Sequence, residues 1–353
     1  MELWYTDQHT KDVRFSMKAM GQIASRHRQR LGFRRFRRFD MIPKVVVITG
    51  PTATGKTKLA VALAHDFDGE IVSADSMQVY RYMDIGTAKV TPEETEGVPH
   101  YMIDIADPAE SFSAARYVGE ATRCVDDILA RGKLPIIAGG TNLYIDSLIS
   151  GRDFADNEGG NALRCELDRQ YDEIGGEAML ERLRSFDPDR AAKLHPADRR
   201  RIVRAIEVFK LTGKTITQHD LETRSRPPRY DAAMIALDFL DRQDLYGRID
   251  RRVDSMVLEG LFDEVEGLLN DGLSDECTAM QAIGYKEPAA YLRGEITKDE
   301  AIGLIKRESR RYAKRQLTWL RRNGDIFWIR HGKTPDIESA RLLSTEYLHH
   351  CGI

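Results

Sequence analysis

Four apolar residues in a row, Val45 to Ile48, break at a glycine and give way to a run with apolar positions at Leu59, Val61 and Leu63. A continuous apolar run of that length predicts a strand buried on both faces, and the run after it an amphipathic helix. The alternation recurs. Glu70 to Ser73 reads as a short strand that ends in Asp75, Ser76, Met77 and Gln78, and His100 to Ile105 reads as another. Ser113 is suited to cap a helix whose Tyr117, Val118, Ala121, Val125, Ile128 and Leu129 share one face, and that helix stops at Gly132. Leu134 to Ala138 is the next strand, followed by Gly139, Gly140, Thr141 and a helix from near Leu143. Strands alternating with helices predict a parallel sheet covered on both faces, with ligands gathered at the carboxyl ends of its strands. The segment 50–57, Asp75 and Thr141 all stand at such ends, so they are expected to converge.

Beyond Gly151 the strand pattern ceases. Residues 151–230 read as helices joined by polar turns and closed by Arg226-Pro227-Pro228, an all-helical insertion. Met234 to Leu237 is a candidate returning strand. A long helix then carries Ile249, Val253, Met256 and Val257 inward, with Arg248 and Arg252 four apart on one face. Glu300 to Arg322 reads as helix with Ile302, Ile305, Tyr312 and Trp319 inward. The expected division is therefore a basic extension over 1–40, a first core part over 41–150, the insertion over 151–230, a mostly helical second core part over 231–330, and a tail over 331–353.

Charge sharpens this picture where the total does not. The formal net charge is −3, yet residues 190–214 carry eight Lys or Arg against Asp198 and Glu207, and residues 307–322 carry seven against Glu308. Such clusters are what a polyanion requires, although charged helices are commonly just solvated faces. The basic stretch from Arg26 to Arg38, before Met41, fits a disordered RNA-binding arm, a targeting segment or translation from an upstream start, and no part in the chemistry is expected of it. No run approaches the length of a membrane span. The four cysteines, Cys124, Cys165, Cys277 and Cys351, form no CxxC pair, which argues against a zinc module or disulfide framework and fits a cytoplasmic protein. No heptad seam is visible, so a monomer is expected.

The stretch Gly50, Pro51, Thr52, Ala53, Thr54, Gly55, Lys56, Thr57 has the P-loop spacing GxxxxGK[ST] between a strand and a helix. Its backbone N–H groups and the following helix N-terminus favour an anion, Lys56 neutralises a terminal phosphate, and the Thr57 hydroxyl is a candidate ligand for Mg²⁺. The fold class expected is thus α/β, a P-loop NTPase-like parallel sheet flanked by helices, with the helical insertion. A P-loop names an anion and leaves kinases, ATPases, GTPases and transferases with a diphosphate leaving group all open. Asp75 could bind Mg²⁺ through water, accept a proton or cap a turn, while Ser76 or Gln78 could read the edge of a base. Thr141 could cap its helix, position a reacting group, or do both.

Seven ordered blocks resemble the tRNA dimethylallyltransferase (isopentenyltransferase) family: GPTATGKT at 50–57, SADSMQVY at 73–80, MDIGTAK at 83–89, GGTNLY at 139–144, RRIVRAIEV at 200–208, MQAIGYKE at 280–287 and YAKRQLTWLRR at 312–322. The resemblance implies transfer of a prenyl group from dimethylallyl diphosphate to the exocyclic amine of the adenosine 3′ to the anticodon in tRNA, with Mg²⁺ as cofactor and tRNA, through its anticodon stem-loop, as partner. It implies that Asp75 takes the amine's proton and Thr141 holds the amine in line. By the same resemblance Asp75, Ser76, Met77, Gln78, Thr141, Arg164, Arg200, Arg201 and Arg204 contact tRNA, and Arg252 serves the diphosphate. Arg200 departs from the family's usual Gln, and the chain lacks the C-terminal zinc finger common in eukaryotic members, which points to the bacterial type. The competing readings are a small-molecule P-loop kinase, a transferase acting on free adenine nucleotides, and an RNA-binding protein with a vestigial loop.

Overall fold

The computed structural model describes residues 42–152 and 160–353; the basic stretch before Met41 lies outside the described residues. In chain order its elements are β1 (Lys44–Thr49), α1 (Lys56–Asp66), β2 (Gly69–Ser73), α2 (Pro92–Thr95), β3 (His100–Tyr101), α3 (Ala114–Ala130), β4 (Leu134–Ala138) and α4 (Asn142–Ser150). There follow α5 (Gly160–Arg184), α6 (Pro188–Ala191), α7 (Arg199–Thr212), α8 (Ile216–Ser225), β5 (Asp231–Phe239), α9 (Arg242–Leu258), α10 (Leu261–Asn270), α11 (Lys286–Leu292), α12 (Lys298–Leu320), β6 (Phe327–His331) and α13 (Ile337–His350). Ser150–Arg229 forms one compact unit, and the described residues on either side of it form the other.

In the larger unit the strands pair in the order β3-β2-β4-β1-β5-β6, every described pairing being parallel. β1 is central because Val45, Val46, Val47 and Ile48 leave no polar face, and all four are fully buried. Val46 pairs with Ile136 of β4 on one side and Ala233 of β5 on the other. The chain leaves β1 toward β2 and β4 and later returns to its other flank with β5. The carboxyl end of β1 is thus a topological switch point, where ligands of open α/β sheets bind.

Three boundaries differ from the sequence reading. β3 stops at Tyr101 because Met102 and Asp104 take left-handed backbone angles, φ 65° and 57°, that no strand continues through. β5 is longer than Met234 to Leu237, since Lys44–Thr49 of β1 pairs along it from Asp231 to Ala236. Residues 331–353, read as a tail, belong to the core. His331 closes β6, and α13 buries Ala340, Ser344, Tyr347 and Leu348, the Tyr347 ring stacking on Phe327 at 4.6 Å. Lys44 Nζ donates to the carbonyls of Cys351 and Gly352, both at 2.8 Å, tying the first strand to the last turn. Trp319 is not inward either: it is exposed, and its Nε1 donates to Asp146.

The smaller unit is helical and has its own apolar core, in which Leu167, Met179, Leu180 and Leu183 of α5 meet Ile202, Val203 and Ile206 of α7. The buried Asp187 carboxylate accepts from the Arg190 and Thr217 backbone N–H groups and from the Thr217 hydroxyl, joining the start of α6 to α8. Among the described residues no helix is long and apolar enough to cross a membrane.

Candidate active site

The loop from Gly50 to Thr57 leaves β1 and enters α1, and its shape rests on a few backbone positions. Gly50 has φ 136°, and a Cβ there would lie 2.3 Å from the Leu237 carbonyl oxygen, so only glycine lets the chain turn past β5. Ala53 takes φ 66° without being glycine. Such strain persists only where neighbours impose it. Here Arg248 of α9 donates Nε to the Ala53 carbonyl at 3.0 Å. Thr54 Oγ1 and Lys56 Nζ both donate to the Pro51 carbonyl, at 2.9 and 2.8 Å, closing the loop on itself.

Asp75, Ser76 and Thr141 sit one and two strands away. Gly139 passes so close to β2 that a Cβ would lie 2.2 Å from the Ala74 carbonyl oxygen, and the Thr141 N–H donates to that oxygen at 3.0 Å. The Thr141 carbonyl accepts the first N–H groups of α4, from Tyr144 and Ile145. Its hydroxyl does something else: it accepts the Ser76 N–H at 3.0 Å. Asp75 Oδ1 accepts the Met77 N–H at 2.9 Å, a local turn that fixes the carboxylate while leaving Oδ2 outside that bond.

Electrostatics show how closely these groups gather. Burial, then the neighbouring Arg252 charge, brings the Lys56 ammonium down to about 8, with Asp75 opposing. Arg252 is lowered by burial and supported in its charged form first by Asp75. Burial, then Asp75, pushes the Tyr312 phenol up to about 12, with Thr141 among its hydrogen-bond partners. Asp75 is therefore a carboxylate whose charge acts on Lys56, Arg252 and Tyr312 together. The sequence expected the segment 50–57, Asp75 and Thr141 to gather at the strand ends; the charges of Lys56, Asp75 and Arg252 act on one another there, and Thr141 bonds to the residue after Asp75.

Gln78 is tied into the loop that follows it. Its Nε2 donates to the carbonyls of Thr87 and Ala88 at 3.3 and 3.2 Å, and its Oε1 accepts the Ser73 hydroxyl at 3.0 Å. Both amide hydrogens are spent on the loop behind it. Gln78 and Thr57 also line a cavity of about 30 Å³ with Ser73, His100 and the apolar Ala60, Ile71, Val90, Ile103 and Ala138, room for about two waters.

In the helical unit, Arg164 on α5 and Arg200 and Arg201 on α7 are exposed. Arg204 is half-buried, and its Nη1 pairs with the buried Glu207 at 2.7 Å. Its charge already answers a buried carboxylate, unlike those of its exposed neighbours. Arg199, which the sequence did not single out, likewise pairs with Asp168 and Asp172.

Gln316 was missed. Buried on α12, it accepts the Thr52 N–H at 3.2 Å and donates to the Gly140 carbonyl at 2.9 Å, bridging the P-loop and the turn that carries Thr141. Its signal was available: a glutamine between Ala313, Leu317 and Leu320 is a polar residue on an apolar helix face.

Fold and site together define a P-loop enzyme in which that loop, a lysine, an arginine and a carboxylate share one end of a parallel sheet. The family profile described as IPP transferase matches residues 78–323. The tRNA dimethylallyltransferase of Thermoanaerobacter sp. (strain X514) is 51% identical over 290 residues, 82% of this chain and 92% of that protein. That of Halalkalibacterium halodurans is 49% identical over 289 residues, 82% of this chain and 91% of that protein. Among solved structures, the tRNA isopentenylpyrophosphate transferase of Bacillus halodurans is 44% identical with a TM-score of 0.65, covering 88% of this chain and 98% of that one. A eukaryotic dimethylallyltransferase acting on tRNA is 28% identical with a TM-score of 0.73, covering 87% and 80%. This chain belongs to the tRNA dimethylallyltransferase family.

Proposed function

We propose that this enzyme transfers the dimethylallyl group of dimethylallyl diphosphate to the N6 amine of the adenosine 3′-adjacent to the anticodon in tRNA, releasing pyrophosphate. The single observation that carries the mechanism is the placement of Asp75. Its charge acts on Lys56 and Arg252 at the P-loop, while the Ser76 N–H beside it is held by Thr141. One site thus holds an anion-binding half and a proton-accepting half.

The diphosphate of the donor lies on the P-loop N–H groups of residues 53–57, with Lys56 and Arg252 as counter-charges. The N6 lone pair attacks the first carbon of the allyl chain, the bond from that carbon to the diphosphate oxygen breaks, and the N6 proton passes to the Asp75 carboxylate. Thr141 holds the acceptor amine in line, which supplies orientation that a weakly nucleophilic amine needs. The target base leaves its stack to reach this site, as base-modifying enzymes require.

Mg²⁺ suits this donor set. Among the described residues no cluster of three His, Cys, Asp or Glu stands ready for a metal. That fits an ion which keeps waters and takes most of its ligands from substrate phosphates, with the exposed Thr57 hydroxyl as the protein's contribution. When bound, it neutralises charge on the departing diphosphate. In the helical unit, the exposed Arg164, Arg200 and Arg201 are the groups suited to tRNA phosphates.

Single-turnover transfer by Asp75→Asn tests the assignment of the base. The rate is expected to fall about 10²–10⁴-fold with tRNA affinity nearly unchanged. A rate close to wild type, or a loss confined to tRNA affinity, contradicts it.

A further inference from the structure

The loop over residues 83–89 is held from behind by one carboxylate. Glu264 of α10 receives two backbone N–H groups on Oε2, from Asp84 and Ile85, both at 2.8 Å. On Oε1 it receives the Gly86 N–H at 3.2 Å and the Tyr285 hydroxyl at 2.7 Å. Four donors converge on one side chain about 180 residues away in sequence from the loop. Gly86 is pressed against the buried Tyr285 ring so closely that a Cβ would lie 2.4 Å from Cε2, so loop, tyrosine and carboxylate form a single fitted assembly. Two sequence blocks, MDIGTAK at 83–89 and MQAIGYKE at 280–287, meet through a residue that belongs to neither.

The loop in turn presents the Thr87 and Ala88 carbonyls to Gln78, and Gln78 closes the segment that begins at Asp75. Lys89 pins the loop's far end to Asp84 and to the Tyr80 carbonyl. The chain of contacts thus runs from Glu264 through the loop and Gln78 to the stretch 75–78. The P-loop has its own braces, Arg248 on Ala53 and Gln316 on Thr52.

We propose that Glu264, with Tyr285, is a positioning residue for the acceptor half of the site: by fixing the 84–86 backbone it sets the segment 75–78 against the incoming adenosine. This rests on the transfer reaction proposed above. A carboxylate is required because both oxygens are filled by donors. In Glu264→Gln the side-chain NH₂ would face two of those donors, and a half-buried hydrogen-bonded assembly with repelling donors loosens.

The experiment is steady-state transfer by Glu264→Gln and Tyr285→Phe, with Glu266→Gln, exposed on the same helix, as control, together with amide hydrogen exchange at residues 84–86. Glu264→Gln is expected to lower kcat/KM for tRNA about ten- to hundredfold and to leave the KM for dimethylallyl diphosphate within about twofold. Exchange at Asp84, Ile85 and Gly86 should quicken, Tyr285→Phe should show the same pattern more weakly, and Glu266→Gln should match wild type. An unchanged kcat/KM for tRNA, or a loss shared equally by donor and acceptor, overturns the proposal. Wild-type enzyme that transfers no prenyl group overturns the functional reading and the acceptor role with it, while the exchange rates still decide whether Glu264 holds the loop.

Discussion

Arg248 Nε donates to the Ala53 carbonyl at 3.0 Å, a contact that ties α9 to the P-loop. Ala53 is the non-glycine residue of that loop with left-handed backbone, so an imposed bond is what its conformation calls for. Arg248→Met keeps an unbranched side chain but removes the donor, together with the guanidinium that lies 6.0 Å from the Phe239 ring centroid. Loss of a charged hydrogen bond is worth about 1.5–3 kcal/mol, so pyrophosphate should bind roughly ten- to hundredfold more weakly by calorimetry. Unchanged affinity would show that the loop keeps its shape unaided.

Lys56 is expected to set a pH limit on donor binding. Burial and Arg252 bring its ammonium down to about 8 in the free enzyme. Below that pH the side chain is charged and serves a diphosphate; above it the charge is lost. Pyrophosphate affinity should therefore fall as pH rises through about 8, and binding just above that pH should be accompanied by proton uptake. Lys56→Met should bind weakly and without that pH dependence. The folding term has the opposite sign: the unfolded chain holds the proton up to about 10.5, so between the two values the Lys56 contribution to stability rises with pH.

Two arginines of α7 separate by their partners. Arg201 is exposed, and Arg201→Ala should reduce the slope of log affinity for tRNA against log salt by about one while leaving the melting temperature unchanged. Arg204→Ala strands the buried Glu207 carboxylate and should cost about 1–3 kcal/mol of stability in denaturant melts. Equal salt slopes and equal stabilities for the two variants would contradict this division.

What could be read from the sequence was what lies contiguous in it. The P-loop follows a fully apolar strand, and Asp75 and Thr141 follow others, so their meeting at the carboxyl end of the sheet was a consequence of parallel topology alone. The braces were not legible for the converse reason. Gln316 reaches Thr52 across 264 residues, and Glu264 reaches Gly86 across 178, and no spacing rule joins such pairs. Gln78 looked like a base reader because its chemistry suits one; only the Thr87 and Ala88 carbonyls show where its hydrogens go. β6 escaped notice because it is five residues long at the sheet's edge and carries an exposed Arg330, too little pattern to set it apart from the helices around it.

The central claim is tested most directly by incubating the full chain with labelled dimethylallyl diphosphate, Mg²⁺ and unmodified tRNA, beside AMP as acceptor and ATP as alternative donor. Label is predicted in tRNA, on the adenosine 3′ to the anticodon, with one pyrophosphate released per group transferred and none in AMP. Label in AMP alone, or ATP consumed with no prenyl transfer, would contradict the account and return the P-loop to a nucleotide prenyltransferase or a kinase.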